Sequence, residues 1–306
     1  MHLVVTGASG LLGLNLSLVA TSLGYDVTGL VHSTLIKETP FAVEHVNLLQ
    51  VDTALQLLET IKPDAIIHCA AIADLNYAEQ HPELAQKMNG YIPGILAKAA
   101  LQWEVPFIHI STDAVFDGEK GDYSELDVTN PLSVYAKTKL AGEQAVMDQN
   151  PSAVVARVVF FGWSLRGDRS LSEFFFNNLK DSHQVRGFID TFFCPLYVEH
   201  LAEVLLEILN AGLSGLYHVV SSQSLSKYDF GIKIARTFGF DPGLIEPVQR
   251  SQGPDEAKRA SNLVLRSDKL MADLGHEPPS VDDGIERMYQ RWQQGYPEKL
   301  QRYQAA

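Results

Sequence analysis

A short apolar run at residues 3–6 passes straight into Thr6-Gly-Ala-Ser-Gly-Leu-Leu-Gly13, and a segment with apolar residues three and four apart follows over about 11–23. No other stretch constrains the chain as much. Glycines at 7, 10 and 13 let the backbone turn sharply and come close to a diphosphate, whose charge is stabilised by free N–H groups at a helix N-terminus. The spacing is Gly-x-x-Gly-x-x-Gly, in the strand, loop and helix order that dinucleotide binding requires. Without a ligand the same glycines would make only a tight turn between a strand and a helix.

The alternation continues. Short β-branched runs at 27–31, 65–68, 107–110 and 154–158 are separated by segments of helical period at 82–102 and 131–148. That is the pattern of an α/β protein with a Rossmann-type, doubly wound parallel sheet covered by helices. A chain of 306 residues exceeds what one compact core usually holds. Residues 1–162 are therefore expected to form a dinucleotide-binding domain, and residues 163–306 mainly a smaller, interleaved C-terminal cap for substrate. Strands near 188–200 and 216–220 are expected to rejoin the sheet, and residues 163–170 read as an exposed loop. Helices are expected over 226–238, with Ser226 as N-cap, and over 281–293.

Twenty-four Lys and Arg against 37 Asp and Glu give a formal net charge of −13, which repels polyanions and argues against a nucleic-acid partner. Cys69 and Cys194 read as two free thiols in a reducing compartment. No signal peptide or membrane-length apolar run is visible, so a cytoplasmic protein without a membrane partner is expected. The ten histidines lack metal-ligand spacing, and no metal is expected.

Three further features carry chemistry. The second strand ends Gly29-Leu-Val-His-Ser33, without the carboxylate that would hydrogen-bond a ribose 2′-hydroxyl and repel a 2′-phosphate. NADP(H) is preferred on that ground and NAD(H) remains possible; no arginine clamps a phosphate there, and His32, Ser33 and Lys37 are the residues able to reach one. Tyr135 and Lys139 lie four apart on a helical segment and so share a face. Tyr135 can deliver a proton to a carbonyl, while the Lys139 ammonium favours the phenolate and anchors the nicotinamide ribose. Ser111, Thr112 and Asp113 follow the strand at 107–110, where ligands of open α/β sheets bind. Thr112 can hydrogen-bond the reacting oxygen.

With these residues in view the chain resembles an extended short-chain dehydrogenase/reductase. More narrowly, Ser111-Thr-Asp-Ala-Val-Phe-Asp-Gly118, Asn130-Pro-Leu-Ser-Val-Tyr-Ala-Lys-Thr-Lys-Leu-Ala-Gly-Glu143 and His68-Cys-Ala-Ala71 with Asn89 are similar to dTDP-4-dehydrorhamnose reductases. The resemblance spans nearly the whole chain. It implies a catalytic triad of Thr112, Tyr135 and Lys139. It puts Gly7, Gly10, Leu11, Leu12 and Gly13 on the pyrophosphate side, Asn47 and Leu48 near adenine, and Ala70 and Ala71 near the nicotinamide half. It also implies a nucleotide-sugar substrate met by Thr112, Asp113 and Arg259, and it is compatible with a homodimer.

The chain departs from that family where the sugar nucleotide is met. Val158-Val-Phe160 stands where Thr-Ser-Trp is usual, Asp190-Thr-Phe-Phe-Cys-Pro195 carries two phenylalanines at positions more often polar or small, Asn76 replaces an aspartate, and Ala260 replaces a proline after Arg259. The pocket reads as more apolar, which argues against dTDP-rhamnose itself as the product. The leading expectation is an NADP(H)-preferring reductase of a keto group on a nucleotide-linked or related activated sugar. A sugar-nucleotide epimerase or dehydratase is the nearest enzymatic rival, but related dehydratases carry a glutamate after Thr-Asp where this chain has Ala114. The rival of another class is an NADP-binding regulatory protein, like the β subunit of methionine adenosyltransferase.

Overall fold

The computed structural model describes residues 1–250 and 260–304. In chain order the first half contains β1 (His2–Thr6), α1 (Leu11–Ser22), β2 (Asp26–Val31), β3 (Ala42–His45), α2 (Val51–Ile61) and β4 (Ala65–His68). There follow α3 (Leu75–Gln80), α4 (Pro82–Ala85), a π-helical turn (Gln86–Tyr91), α5 (Ile92–Gln102), β5 (Phe107–Thr112), α6 (Val134–Gln149) and β6 (Val154–Val158). A seven-stranded sheet runs in the order Gly215–Val219, β6, β5, β4, β1, β2, β3, and every pair in it is parallel. Strand order reverses at β1, which has β2 on one side and β4 on the other. The carboxyl ends of β1 and β4 therefore open a crevice of the kind in which α/β sheets bind ligands.

Side chains alternate across this sheet. Leu3 and Val5 pack with Leu16 and Val19 of α1 on one face, while Val4 packs with Leu58 and Leu96 on the other. Both faces are covered, so the strands are almost uninterruptedly apolar, which is what made them readable. Helix α6 begins at Ser133, whose hydroxyl accepts the Ala136 N–H at 3.2 Å. That cap sets the phase of the helix that carries Tyr135 and Lys139.

The later chain weaves between sheet and cap. Gly215–Val219 returns to the sheet beside β6. The stretch near 188–200, expected to rejoin it, does not. Val185–Phe188 pairs with Ile245–Val248, Phe192–Phe193 with Leu225–Ser226 and Asn262–Leu263, and Leu196–Tyr197 with Phe160–Phe161. Pro195 has no N–H for a ladder and separates two of these short strands, so no continuous edge is available to the main sheet.

Residues 163–170 also differ from expectation. Trp163, Ser164 and Leu165 are buried, and the Trp163 indole donates to the Met288 carbonyl at 3.0 Å. Only the following Arg166, Asp168 and Arg169 are exposed. The turn formers signalled a change of direction, but Glu173 draws the segment inward: it accepts the Ser164 N–H at 2.6 Å and completes a capping box with Ser170. The helices expected over 226–238 and 281–293 occur as Lys227–Phe238, capped by Ser226, and Val281–Gln293.

Candidate active site

The glycine turn is built for close approach. Gly7 has φ of 68°, and a Cβ there would lie 2.8 Å from Ala70 Cα; a Cβ on Gly13 would lie 2.2 Å from the Gly7 carbonyl oxygen. Neither position accepts a side chain. Helix α1 starts at Gly10 with no side-chain cap and no acidic residue in its first turn. Its leading N–H groups are thus left for an anionic ligand, and the cradle fits a dinucleotide diphosphate. The Leu12 side chain is buried in the core, so that residue presents only its backbone at this turn. Gly13 acts by contact with Gly7. Thr6 joins the two strand ends, accepting the Ala70 N–H at 3.1 Å and lying 2.7 Å from His68 Nδ1.

A groove of about 520 Å³ opens from this turn. Gly7, Gly10, His32, Ser33, Asn47, Leu48, Ala70 and Ala71 line it, whereas Leu11, Leu12 and Gly13 do not. Ser9, Cys69, Tyr77, Leu84 and Met88 also line it, and nothing in their spacing signalled this. A larger surface depression of about 690 Å³ lies between Lys227–Phe238 and Val281–Gln293, with none of the motif residues on its wall.

Asn89 explains why the helical reading at 82–102 is interrupted. The π turn delivers its amide to the end of β4, where Oδ1 accepts the Ile72 N–H at 2.8 Å and Nδ2 donates to the Ile72 carbonyl at 3.0 Å. Nδ2 also donates to the Thr138 hydroxyl at 3.1 Å, which ties this loop to α6. An α-helix re-phased by one residue at a functional site is the usual use of a π turn.

Beyond the groove, β5 and α6 bring Thr112, Asp113, Tyr135 and Lys139 together. Lys139 is buried; its Nζ donates to the Ile110 carbonyl at 2.6 Å and lies 3.3 Å from His109 Nε2. Burial lowers its pKa to about 8, with Glu143 acting in the opposite direction. His109 stacks on His68, ring centroids 5.4 Å apart. Burial, and secondarily the Lys139 charge, holds both imidazoles far below the usual range, so both are neutral.

Tyr135 faces Thr112 and Asp113. Burial pushes its phenol up to about 12, with a Thr112 hydrogen bond opposing and the Asp113 charge assisting. The Lys139 ammonium, expected to favour the phenolate, donates in this structure to the Ile110 carbonyl, and burial outweighs the groups that lower the phenol. Thr112 donates to Asp113 Oδ1 at 3.1 Å. Burial raises Asp113 to about 6, against that hydrogen bond and the Lys227 charge.

Behind the triad lies a buried ion pair that the sequence reading missed. Glu143, one turn after Lys139, accepts from Ser111 Oγ at 2.5 Å and from Arg157 Nη2 at 2.8 Å. The guanidinium also lies 3.3 Å from His218 Nε2 and 5.0 Å from the centre of the Phe116 ring. An arginine set among valines in an otherwise apolar strand was the available signal. Arg259 lies outside the described residues.

A family model described as the RmlD substrate binding domain matches residues 1–294. The chain belongs to that family. A probable low-salt glycan biosynthesis reductase of Haloferax volcanii, Agl14, is 35% identical over 292 residues, 93% of this chain and 96% of that one. The dTDP-4-dehydrorhamnose reductase of Mycobacterium tuberculosis is 34% identical over 273 residues, 87% of this chain and 85% of the other. Bovine methionine adenosyltransferase 2 subunit beta is 30% identical over 278 residues, 88% and 81% of the two chains. Among solved structures, dTDP-4-dehydrorhamnose reductase from Bacillus anthracis in complex with NADP superposes with a TM-score of 0.85 at 24% identity, covering 95% of this chain and 99% of that one. That likeness establishes the shared Rossmann-type architecture. Among the described residues no helix is long and apolar enough to cross a membrane.

Proposed function

We propose that this protein is an NADP(H)-preferring reductase of a keto group on a nucleotide-linked or otherwise activated sugar. The observation that carries the reading is the convergence of Thr112, Tyr135 and a buried Lys139 at the carboxyl end of β5, beside a groove that starts at an uncapped glycine turn. A bound dinucleotide would supply the hydride. Thr112 hydrogen-bonds the substrate carbonyl oxygen and Tyr135 gives it a proton. A phenol at about 12 stays protonated at neutral pH, which suits donation, and Lys139 at about 8 keeps its charge there. The Lys139 ammonium anchors the nicotinamide ribose, while Asn89 holds the Ile72 loop that borders the groove. The M. tuberculosis relative supports a nucleotide-sugar substrate, and the B. anthracis complex supports NADP.

Oxidation of NADPH in the presence of a panel of nucleotide-linked keto sugars tests the reading, and turnover of at least one is expected. Tight dinucleotide binding with no turnover across the panel would favour the second reading, a dinucleotide-binding regulatory subunit, which the bovine relative supports. At pH 7 NADPH is expected to bind at least as tightly as NADH, since β2 ends without a carboxylate. Calorimetric titration of both decides it, and clear NADH preference would show that an acidic residue elsewhere reads the ribose.

Arg259 is assigned to the substrate side by the family resemblance alone. Arg259→Ala is expected to raise KM for a phosphate-bearing substrate about tenfold or more, because a guanidinium fork suits phosphate, and to leave dinucleotide affinity unchanged. Steady-state kinetics with parallel binding measurements check this. Equal losses in both would move Arg259 to the cofactor.

A further inference from the structure

Two buried imidazoles lie between the switch point of the sheet and helix α6, and the fold gains little from their polarity. His68 ends β4, and His109 stands opposite it on β5 in parallel register. Both are fully buried and stacked, ring centroids 5.4 Å apart. His68 Nδ1 lies 2.7 Å from the Thr6 hydroxyl oxygen, but His68 Nε2 and His109 Nδ1 have no hydrogen-bond partner among the described residues. A buried polar atom left unpaired costs stability that an apolar residue would not. Where a local rule is broken without gain to the fold, function is the usual reason.

Helix α6 shows what His109 serves. Gly142 shares a face with Lys139, three residues before it, and a Cβ on Gly142 would lie 2.1 Å from the Asn89 carbonyl oxygen and 3.4 Å from His109 Nε2. The helix reaches the imidazole only because position 142 has no side chain. At this close approach Lys139 Nζ sits 3.3 Å from His109 Nε2 and donates to the Ile110 carbonyl at 2.6 Å. An ammonium has three N–H donors and no acceptor, so Nε2 must be the bare nitrogen of a neutral ring. The ring proton then stays on Nδ1, the atom without a partner. Two of the three ammonium donors are used inside the protein, and one is left for a ligand.

The other groups around Lys139 do not replace this contact. Glu143, one turn further along α6, is engaged by Arg157 and Ser111. Cys69, after β4, is a neutral thiol that burial pushes up to about 12, and Tyr135, one turn earlier on α6, is likewise protonated. His68 is neutral, and the Asn89 amide from the π turn is taken by Ile72 and Thr138.

We propose that His109 is the positioning residue of Lys139: its bare Nε2 accepts from the ammonium, favours the charged form and leaves a single N–H to meet the nicotinamide ribose. This rests on the ribose-anchoring role given to Lys139 in the proposed function. Without the acceptor, the buried ammonium keeps only the Ile110 carbonyl, and its charge is given up at lower pH.

The test reads NADPH binding to the intact protein by calorimetry between about pH 7 and pH 9.5, above the second ionisation of the 2′-phosphate near pH 6. In the parent, affinity should weaken as Lys139 loses its charge through about 8. His109→Leu, which offers no acceptor, should move that weakening to lower pH by about one unit, because a hydrogen bond to a charged group is stronger than one between neutral groups. His109→Gln, whose side-chain carbonyl can accept, should return it to within about 0.3 unit of the parent. A ring that only fills space would lower affinity at every pH and leave the limb where it is. That result, or an equal shift in both variants, would overturn the proposal. Nitrogen chemical shifts of the histidine rings in the parent, assigned through the signal lost in His109→Gln, give a second readout that needs no stable Leu variant. His109 is expected to carry its proton on Nδ1, and a proton on Nε2 would overturn the contact. If NADPH binds at no pH, the dinucleotide reading falls, while the position of the ring proton still decides whether His109 serves Lys139.

Discussion

Replacing Tyr135 with Phe is expected to lower reduction of a keto substrate by about 10²–10⁴-fold while NADP(H) still binds with near-parental affinity. The change removes only the hydroxyl that faces Thr112. Burial holds that phenol at about 12, so the parent carries its proton throughout the neutral range, and activity should not fall on the acid side through loss of the donor. The alkaline side is governed by Lys139, whose charge disappears as pH rises through about 8. A bound dinucleotide carries negative charge and moves that limb upward. Lys139→Met is expected to impair both chemistry and dinucleotide binding, because it removes the ribose anchor together with the positive charge near the reacting oxygen. It should also unfold at higher denaturant concentration than the parent, since a buried ammonium costs desolvation that a thioether does not. Single-turnover rates, dinucleotide titrations and denaturant melts of both variants separate these effects. A Phe variant that keeps most of the parent's rate would remove Tyr135 as the acid.

The parts legible in the sequence are those governed by short-range periodicity. The runs over β1, β2, β4, β5 and β6 read correctly because each is buried on both faces, and α6 was read from apolar residues three and four apart, while the structure sets its start at the Ser133 cap. Gly7 and Gly13 were readable because no other residue tolerates those contacts. What escaped is organised across long separations. Arg157 meets His218 across 61 residues, and Asn89 reaches Ile72 only because a π turn shifts the helical phase. Cys69 is on the groove wall because it follows β4 at the switch point, while Met88 arrives from the π turn; neither carries a local mark of the ligand side. The segment at 163–170 shows the limit most plainly. Turn-forming residues predicted exposure, and one buried carboxylate, Glu173, folded the first three of them inward.

That same dependence on buried charge makes Glu143→Ala the substitution with the largest expected effect on stability. Glu143 and Arg157 are almost wholly buried, and the carboxylate receives three guanidinium contacts at 2.8–3.2 Å besides the Ser111 hydroxyl. Removing the carboxylate leaves the arginine charge in the interior against the Phe116 ring and His218, an imidazole kept neutral by burial and by Arg157 itself, with no carboxylate bonded to it among the described residues. Breaking one side of such a pair costs about 3–5 kcal/mol, whereas replacing both partners with groups of similar volume is often neutral. Glu143→Ala should therefore lower the denaturation midpoint far more than the double change Glu143→Gln with Arg157→Met, and the difference between the two measures the unpaired charge. The consequences reach the chemistry. Ser111, which donates to Glu143, lies between Ile110, whose carbonyl holds Lys139, and the catalytic candidate Thr112. The carboxylate thus fixes the end of β5 against α6 at the level where the triad assembles. If the double variant recovers stability but not turnover, Glu143 holds that strand end in register for catalysis. If it recovers both, the ion pair serves the fold alone, and the triad is positioned by Lys139 and the Ile110 carbonyl without it.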